Sequence, residues 1–571
     1  MSFSERAAGE RTPGPRGKTR RVAAARVVLG TCLMAVVANG QMVSGQLTFS
    51  DQTDAAGLTS SQTPPQFGPP TNDQIGGVAV ADFNQDGWED IFLPMLGTAP
   101  DRLFINNTDG TFTNRATEWG VDATHIGGGM AIGDYDNDGL LDMFLASHGT
   151  ATGYIPDAHF LYRNLGDSFE DVAEAAGVRQ TSPVAYDGYG ASFGDSDLDG
   201  DLDLFVAGWQ IASDGNRYFR NNGNGTFTDV TATHIEAATD LVNVRGFSPQ
   251  FIDMNDDRYP ELLLAGDFST SRYLINNGDG TFTDGTAFSG TGLDDYGMGH
   301  CVGDFNGDGL MDWYVTSIFG FFHSQDILGN KLYSNLGNHV YEEISNTAGV
   351  DDGGWGYGAA AVDFDHDGDQ DLVENNGWFQ PEWTGEPSYL FLTNDSSPSF
   401  QESGTVCGLA HVCEGRGLAH LDYDKDGDQD LLICALGEPF KLFRNDLAGP
   451  QTNWLRVKLK TFGSPAAIAP NGFGAKIVVT RLGKAQVDIM NAGASFLSQS
   501  ELVSHFGLKG SAKADTVEVT WPNGHITLLE NVRANRTITI EYDGPPGFKA
   551  GTRRRPTPAG SNPPLGPPIT Q

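Results

Sequence analysis

The sequence predicts an all-β protein, a seven-bladed β-propeller followed by a small β-sandwich or barrel. A nine-residue acidic loop recurs at intervals of 51 to 61 residues, in copies that begin at Asp82, Asp134, Asp195, Asp253, Asp304, Asp363 and Asp422. Intervals of this size are typical of propellers and solenoids, not of independent domains. Asp-Gly pairs between strand-like runs mark hairpins. Glycine supplies 74 of the 571 residues, which suits turn-dense β structure.

Each repeat has the same order of elements. In the first repeat a small-residue strand (77–81) precedes the acidic loop and an apolar strand (91–93) follows it. A third strand (103–106) ends in asparagine, and an Asp-Gly turn leads into a Thr-Phe strand (111–113). Four antiparallel strands per repeat, seven times over, make a seven-bladed propeller.

The spacing of acidic residues within each loop indicates a cation site. In the sixth copy Asp363, Asp365, Asp367 and Asp371 occupy positions 1, 3, 5 and 9, and Gly368 occupies position 6. Alternate residues of a tight turn can direct oxygens at one point, and glycine accepts the positive φ that the turn needs. An EF-hand differs, because it closes with a glutamate at position 12 and lies between helices. Seven copies of the loop therefore predict bound Ca²⁺.

We expect about six calcium sites. Their predicted ligands are Asp82, Asn84, Asp86 and Asp90; Asp134, Asp136, Asp138 and Asp142; Asp195, Asp197, Asp199 and Asp203; Asp304, Asn306, Asp308 and Asp312; Asp363, Asp365, Asp367 and Asp371; and Asp422, Asp424, Asp426 and Asp430. The fourth loop departs from the pattern, because Arg258 replaces the glycine. An arginine is strained at positive φ and brings positive charge close to the cation. We therefore expect a weak or empty site from Asp253, Asn255, Asp257 and Glu261.

The two ends of the repeat region complement each other. Residues 47–58 resemble the last strand and turn of other repeats, whereas the seventh repeat stops after its third strand, near Asn445. We therefore predict that the N-terminal segment supplies the fourth strand of the seventh blade. Such a clasp leaves no unpaired blade edge.

The N-terminus predicts export. Residues 1–40 contain a basic stretch followed by a 12-residue, largely apolar run (27–38), which fits a signal peptide and is short for a membrane anchor, although an uncleaved anchor remains the alternative. The protein is then secreted or extracytoplasmic, in the periplasm or at the cell surface. In an oxidising compartment Cys407 and Cys413, which bracket a short loop, could form a disulfide.

Charge divides the chain into regions. Residues 47–450 contain 14 Lys/Arg and 65 Asp/Glu, whereas residues 451–541 contain 10 Lys/Arg and 6 Asp/Glu. Nucleic acid is an improbable partner for so acidic a surface. We place the propeller at 41–450, a β domain at 451–542 and a disordered Pro/Gly-rich tail at 543–571.

The repeats resemble integrin-type FG-GAP/VCBS units, and the C-terminal segment resembles the ASPIC/UnbV domain of the cartilage acidic protein family. Matching C-terminal stretches are 453–455, 471–476, 495–500, 505–508 and 517–524. The resemblance implies the architecture and calcium binding. It implies little about biochemical function, because folds host many functions.

Three functions remain open. The first is a monomeric calcium-binding recognition or adhesion protein that binds a glycan or an extracellular protein. The others are a carbohydrate-active or biosynthetic enzyme, for which we find no catalytic constellation, and a structural matrix component. Successive turns of an antiparallel blade alternate between faces, so aromatic loops should lie opposite the calcium loops. The predicted ligand contacts there are Trp209, Phe321, Trp378 and Trp383, with mere packing of loops as the alternative.

Overall fold

The computed structural model describes residues 47–63, 74–148, 158–180, 187–210, 215–322, 325–381, 383–394, 397–461, 468–492 and 495–544. All of these lie in the compact unit that begins at Cys32. The predicted signal segment and most of the predicted tail lie outside the described residues. No helix in the described ranges is long and apolar enough to cross a membrane.

The repeats fold into four-stranded antiparallel sheets, one per repeat, as predicted. After β1 (Phe49–Asp51), the first blade consists of β2 (Ala79–Ala81), β3 (Asp90–Leu93), β4 (Arg102–Asn106) and β5 (Phe112–Asn114), and the second of β6 (Gly127–Gly133), β7 (Asp142–Ser147), β8 (Phe160–Asn164) and β9 (Phe169–Asp171). The third blade consists of β10 (Ala191–Gly194), β11 (Asp203–Val206), β12 (Arg217–Asn221) and β13 (Phe227–Asp229), and the fourth of β14 (Arg245–Ile252), β15 (Glu261–Asp267), β16 (Arg272–Asn276) and β17 (Phe282–Asp284). The fifth blade consists of β18 (His300–Gly303), β19 (Asp312–Val315), β22 (Lys331–Asn335) and β23 (Tyr341–Glu343), with an inserted hairpin of β20 (Phe319–Phe322) and β21 (Gln325–Leu328), and the sixth of β24 (Gly356–Val362), β25 (Asp371–Asn376), β26 (Tyr389–Asn394) and β27 (Ser397–Glu402).

The seventh blade confirms the predicted clasp. Its chain-continuous strands are β28 (Gly415–Leu421), β29 (Asp430–Ala435) and β30 (Lys441–Asn445), and β1 pairs with β30 as the fourth. Phe49 lies opposite Asn445, and Asp51 lies opposite Phe443. The clasp is also packed, because the Phe49 ring is buried edge-on against Phe364 of the sixth blade.

Single-turn helices follow the fourth strands of most blades. They are α1 (Ala116–Trp119), α2 (Ala173–Ala176), α3 (Thr231–His234), α4 (Thr286–Ser289), α5 (Ser345–Ala348) and α6 (Gly404–Cys407). All but α3 end at a glycine with φ between 75° and 84°, a left-handed conformation that terminates a helix. Short 3₁₀ turns occur at Ala237–Thr239, Leu241–Asn243 and Pro470–Gly472.

The C-terminal domain consists of two sheets around one core. The first has the order β34 (Ser504–Lys509), β31 (Asn453–Lys460) and β37 (Arg536–Glu541), with β31 and β37 parallel. The second has the order β33 (Lys484–Ile489), β32 (Lys476–Arg481), β35 (Lys513–Thr520) and β36 (Ile526–Arg533). Apolar side chains of both sheets, such as Leu455, Val457, Ile477, Val517 and Trp521, share one buried cluster. Of the two predicted forms, the domain is therefore the sandwich.

Residues 495–501 of this domain, which we call the plug, run between the inner strands of the propeller. The Gln499 backbone N–H donates to the Val78 carbonyl and its carbonyl accepts the Val80 N–H, each at 3.0 Å. The Gln499 side chain bonds the N–H and the carbonyl of Ile132. Three plug serines accept backbone N–H groups from the first, sixth and seventh blades, namely those of Val78, Ala359 and His420. The plug is thus bonded to blades 1, 2, 6 and 7.

The plug explains why the inner strands begin with small residues. A Cβ at Gly77 would overlap the Leu497 carbonyl, and one at Gly417 would overlap Ser498 Oγ. The tip of the plug, Phe496 and Leu497, joins a buried aromatic cluster with Phe247, Tyr357 and Trp378 among its members. Side chains from several blades therefore enclose the tip.

The predicted disulfide does not form. Within the described residues no disulfide joins Cys407 to Cys413, although both side chains are buried in the same apolar cluster. Cys407 ends α6, and the Cys413 thiol donates instead to Asn375 Oδ1 (3.6 Å). The core around these residues is therefore held by packing, and the disulfide prediction was wrong.

The clasp can be tested by truncating its buried ring. We expect Phe49→Ala to lower the free energy of unfolding by about 3 to 5 kcal/mol, because a buried phenylalanine leaves a cavity. Phe288→Ala is the matched control, since the Phe288 side chain is 68% exposed, and it should change stability by less than about 0.5 kcal/mol. Urea unfolding measures both. Equal effects of the two substitutions would contradict the assignment of β1 as a blade strand.

Candidate metal centres in the acidic loops

The carboxylates at positions 1 and 9 organise the acidic loops. In the second loop Asp134, at position 1, accepts the N–H of Gly139 at 2.8 Å, and Gly139 has a φ of 92°. Asp142, at position 9, accepts the N–H of Tyr135 (3.1 Å) and the N–H of Asn164 (2.8 Å), which ends the third strand. These carboxylates satisfy the backbone donors of the turn and hold the loop to its own blade.

The asparagine at the end of the third strand joins neighbouring blades. Asn164 Nδ2 donates to the carbonyl of Phe83 in the preceding acidic loop, and Asn221 Nδ2 donates to Tyr135 in the same way, both at 2.9 Å. The same bond is made by Asn106, Asn276, Asn335 and Asn445. The sequence marked this asparagine only as a strand end. In the structure these asparagines fix six of the seven loops, all but the fifth, against the next blade.

Four loops bring three carboxylates into a single small space. Each of three aspartates in the loop offers one carboxylate oxygen, and the three oxygens lie within 4.8 Å of one another. These triads are Asp134, Asp136 and Asp142; Asp195, Asp197 and Asp199; Asp363, Asp365 and Asp371; and Asp422, Asp424 and Asp430. Several of their oxygens are buried without a hydrogen-bond partner, among them Oδ1 of Asp136, Asp422 and Asp424. Asp82 Oδ1 in the first loop is also buried without a hydrogen-bond partner. Buried unpaired carboxylate oxygens are costly without a cation, so these residues fit a hard divalent ion.

Burial and mutual repulsion perturb these carboxyl groups. Burial, reinforced by neighbouring aspartates, raises the pKa of Asp134 and Asp365 to about 7 and that of Asp90 to about 8. For Asp371 the same causes raise the pKa well above its ordinary value. A divalent cation among the carboxylates opposes both effects and favours the ionised form.

The third loop already contains a positive group. Arg220 pairs with Asp197 and with Asp199, the latter at 3.2 Å. Asp203, its position 9, accepts the Ser196 hydroxyl at 2.5 Å. The guanidinium therefore neutralises part of the negative charge of this loop, while Asp197 Oδ1 stays buried without a hydrogen-bond partner. The first and fifth loops differ in another way, since Asn84 and Asn306 leave each with three carboxylates at the predicted positions.

The fourth loop keeps the backbone pattern but fills its centre with an amide. Arg258 adopts a φ of 80°, and its N–H donates to Asp253 Oδ2 (2.7 Å) as the loop glycines do elsewhere. Asn255 Nδ2 donates to Asp257 Oδ2 (3.1 Å) and Glu261 Oε1 (3.3 Å). The amide hydrogens thus take up acceptors that a cation would use. The Arg258 guanidinium does not fill the loop but bonds to the C-terminal domain.

The C-terminal domain covers part of the acidic-loop face. Arg258 donates to the Pro522 carbonyl at 2.9 Å, and Lys476 pairs with Asp256 at 2.6 Å. Further contacts reach the first, sixth and seventh loops, through Lys458, Lys484, Lys509 and Arg456. The excess of basic residues found in residues 451–541 therefore faces the acidic loops.

The four predicted ligand contacts lie in different environments. Trp378 and Trp383 are only 8% and 3% exposed and stack around Trp355, so they pack the loops together and cannot form an open contact surface. Trp209 is half-buried. Its indole N–H donates to Asp267, and the Arg245 guanidinium lies over its ring. Phe321, on the β20–β21 hairpin, is 64% exposed. The sequence could not separate these cases, because burial depends on distant chain segments.

One arrangement has the composition of a catalytic triad. His125 contacts Asp101 Oδ2 at 2.8 Å and Ser147 Oγ at 2.9 Å. All three residues are at most 1% exposed. Asp101 also accepts the Met95 N–H. The group therefore joins the loops of the first and second blades, as buried polar networks commonly do.

Two family models match parts of the chain. A family model described as FG-GAP-like repeat matches residues 95–145, 197–264 and 253–315, and one described as ASPIC and UnbV matches residues 467–546. The chain therefore carries FG-GAP-like repeats followed by an ASPIC/UnbV domain. The resemblance recognised in the sequence is confirmed.

Individual relatives show distant homology. Cartilage acidic protein 1 of Homo sapiens is 25% identical over 520 residues, which cover 85% of this chain and 75% of the relative. The Mus musculus protein is 26% identical over 525 residues, with 85% and 76% covered. The Xenopus tropicalis protein is 31% identical over 264 residues, with 44% and 38% covered. Among solved structures, BBS1N in complex with ARL6DN aligns with a TM-score of 0.38 and 10% identity, over 68% of this chain and 96% of that one.

Cation stoichiometry tests the assignment of the fourth loop. We expect the double substitution Asn255→Asp and Arg258→Gly to add about one bound Ca²⁺ per chain, because it removes the amide hydrogens and the strained arginine together. Asp304→Asn, in the fifth loop, is the opposite control and should remove about one. Equilibrium dialysis with ⁴⁵Ca²⁺ gives the count. An unchanged count in the double variant would mean that Glu261 or the covering domain blocks the loop.

Proposed function

We propose that this protein is an exported calcium-binding propeller that recognises a glycan or an extracellular protein. The ligand contacts the end of the blades opposite the acidic loops, which we call the far face. The far face comprises the loops after the second and fourth strands of each blade. The protein acts as a monomer, and calcium serves the scaffold.

The exposed aromatic residues of the far face carry this proposal. Phe321 and Phe379 are 64% and 55% exposed, and Phe268 is 43% exposed beside Trp209 and its cation–π partner Arg245. Exposed aromatic rings beside polar groups suit stacking on sugars or insertion into a partner. The acidic-loop face is less suitable, because the C-terminal domain covers part of it.

Unpaired polar atoms beneath the same loops support the assignment. The indole N–H groups of Trp355 and Trp378 are buried without hydrogen-bond partners, and so are Glu374 Oε1 and Asn376 Oδ1. Unpaired buried donors and acceptors are rare and often mark binding sites. Because these atoms are buried, ordered water would satisfy them, as would a ligand whose binding moves the loops that cover them.

Calcium is the cation that the loops favour. Their side-chain ligands are all oxygens, without the imidazole or thiolate groups that zinc prefers. Calcium tolerates irregular, flexible coordination, whereas magnesium demands a near-ideal octahedron. Export supports the same choice, because extracellular modules bind calcium in the range of about 0.1 to 1 mM.

Chelation should therefore destabilise the fold. With six sites, a dissociation constant of ~0.1 mM and ~2 mM free calcium, binding contributes roughly 1.8 kcal/mol per site and on the order of 10 kcal/mol in total. We expect EDTA to lower the melting temperature strongly and added Ca²⁺ to restore it. Mg²⁺ at equal ionic strength is the control and should restore little. A melting curve unchanged after exhaustive chelation would exclude calcium as a structural ion.

Ligand binding is tested on glycan and extracellular-protein arrays, with and without calcium. We expect Phe321→Ala and Phe379→Ala to weaken any specific signal by about tenfold, because exposed aromatic anchors dominate such contacts. Leu482→Ala is the matched control, since this exposed apolar residue lies on the turn between β32 and β33 of the C-terminal domain. Binding that survives both phenylalanine substitutions would place the ligand elsewhere.

A further inference from the structure

Single aspartates of the acidic loops use one carboxylate oxygen to contact the C-terminal domain and leave the other oxygen for the loop. In the seventh loop Asp422, at position 1, accepts Arg456 Nη1 through Oδ2 at 2.8 Å, and both side chains are 1% exposed. The same guanidinium pairs with Glu501, the last residue of the plug. Asp422 Oδ1 is buried and has no hydrogen-bond partner. One oxygen thus holds the C-terminal domain, and the other is left for the loop.

The sixth loop repeats this arrangement with a backbone donor. Asp363 Oδ2 accepts the N–H of Gly368 in its own loop (2.8 Å) and the N–H of Gly507 in β34 (3.0 Å). Lys509 lies 3.4 Å from Asp367 in an ion pair, and its N–H donates to the His366 carbonyl. These contacts require the loop to keep the conformation in which its oxygens converge.

The first loop provides a third shared carboxylate. Asp82 Oδ2 accepts the Gly87 N–H (3.1 Å) and lies 3.4 Å from Lys458 Nζ. Asp82 Oδ1 is buried without a partner, as in the seventh loop. In these three loops the position-1 aspartate therefore contacts the C-terminal domain through Oδ2.

Docking of the domain in turn determines where the plug lies. The plug follows β33 and precedes β34, the strand that contacts the sixth loop. Its backbone bonds to Val78 and Val80, and its tip, Phe496, packs against Phe247 and Tyr357 at centroid distances of 5.5 and 4.9 Å. The plug thus reaches from the acidic-loop face to the aromatic cluster beneath the far face.

We propose that calcium in the first, sixth and seventh loops holds the C-terminal domain on the propeller, so that removal of calcium releases the plug. A cation bound to Oδ1 fixes the carboxylate and the turn, which keeps Oδ2 directed at its donor. Attraction to the basic side chains persists, because the sixth and seventh loops each contain five aspartates and remain net negative with one divalent ion bound. Calcium and docking therefore reinforce each other, and this coupling must be reciprocal.

This inference rests on the proposed calcium binding but not on the far-face ligand. Its test is hydrogen–deuterium exchange of the full-length chain in Ca²⁺ and in EDTA, read by mass spectrometry. We expect amides of residues 496–501 and 76–80 to exchange at least tenfold faster in EDTA. Amides of β32 and β35, inside the C-terminal sandwich, should change much less, because the domain undocks without unfolding.

A substitution in saturating calcium keeps the test valid even if chelation unfolds the whole chain. Arg456→Met should speed exchange of the plug at least tenfold and weaken calcium binding severalfold, as reciprocity demands. Lys460→Met is the matched control, because Lys460 lies on the same strand but pairs with Glu541 inside its own domain. It should leave both readouts unchanged.

The outcomes separate this inference from the proposed function. If Ca²⁺ raises the melting temperature but Arg456→Met leaves plug exchange and calcium affinity as in the unsubstituted protein, coupling is overturned and calcium binding stands. If no calcium binds, the proposed calcium scaffold fails first. Faster plug exchange with Arg456→Met, slow exchange with Lys460→Met and weaker calcium binding together support the coupling.

Discussion

The crowding of carboxylates at one end of the blades is the constraint on which the rest of the structure depends. In most loops the carboxylates at positions 1 and 9 accept backbone N–H groups, as Asp134 and Asp142 do. The remaining oxygens of these carboxylates then lie close together, and burial and mutual repulsion raise the pKa of the buried groups although the backbone hydrogen bonds lower it. Arg220 supplies compensating positive charge within the third loop, and basic side chains of the C-terminal domain supply it at other loops. The carboxylate triads could also hold metal ions.

Most of the propeller could be predicted because its information is local and repeated. The Asp-x-Asp-x-Asp-Gly spacing defined the loops, and the missing strand of the last repeat, together with residues 47–58, defined the clasp that pairs β1 with β30. The charge division between residues 47–450 and 451–541 was also visible, but its reason was not. Only the structure shows that Lys458, Lys476 and Arg456 meet the loops.

Long-range packing decided what could not be predicted. Trp378 looked like a ligand contact in its loop, yet Trp355 and the tip of the plug enclose it, and these residues lie far apart in sequence. Gly77 and Gly417 looked like ordinary small strand residues, whereas they make room for Leu497 and Ser498. Cys407 and Cys413 are near in sequence but make different contacts: Cys407 ends α6, and the Cys413 thiol donates to Asn375. A repeat pattern cannot encode a partner from another domain.

The fourth loop shows that cations and protein groups are alternative solutions to the same problem. Its carboxylates are bridged by the Asn255 amide, and Arg258 accepts a strained φ of 80° while its guanidinium reaches the Pro522 carbonyl. A loop filled by its own amide keeps its contact with the C-terminal domain without an ion. The sixth and seventh loops lack such an amide and hold five aspartates each, so their shape depends on what occupies them. Asp363 and Asp422, which bind the C-terminal domain, lie in these two loops. We therefore expect attachment of the plug to be sensitive to calcium where Asp363 and Asp422 hold the domain, and insensitive where Arg258 holds it.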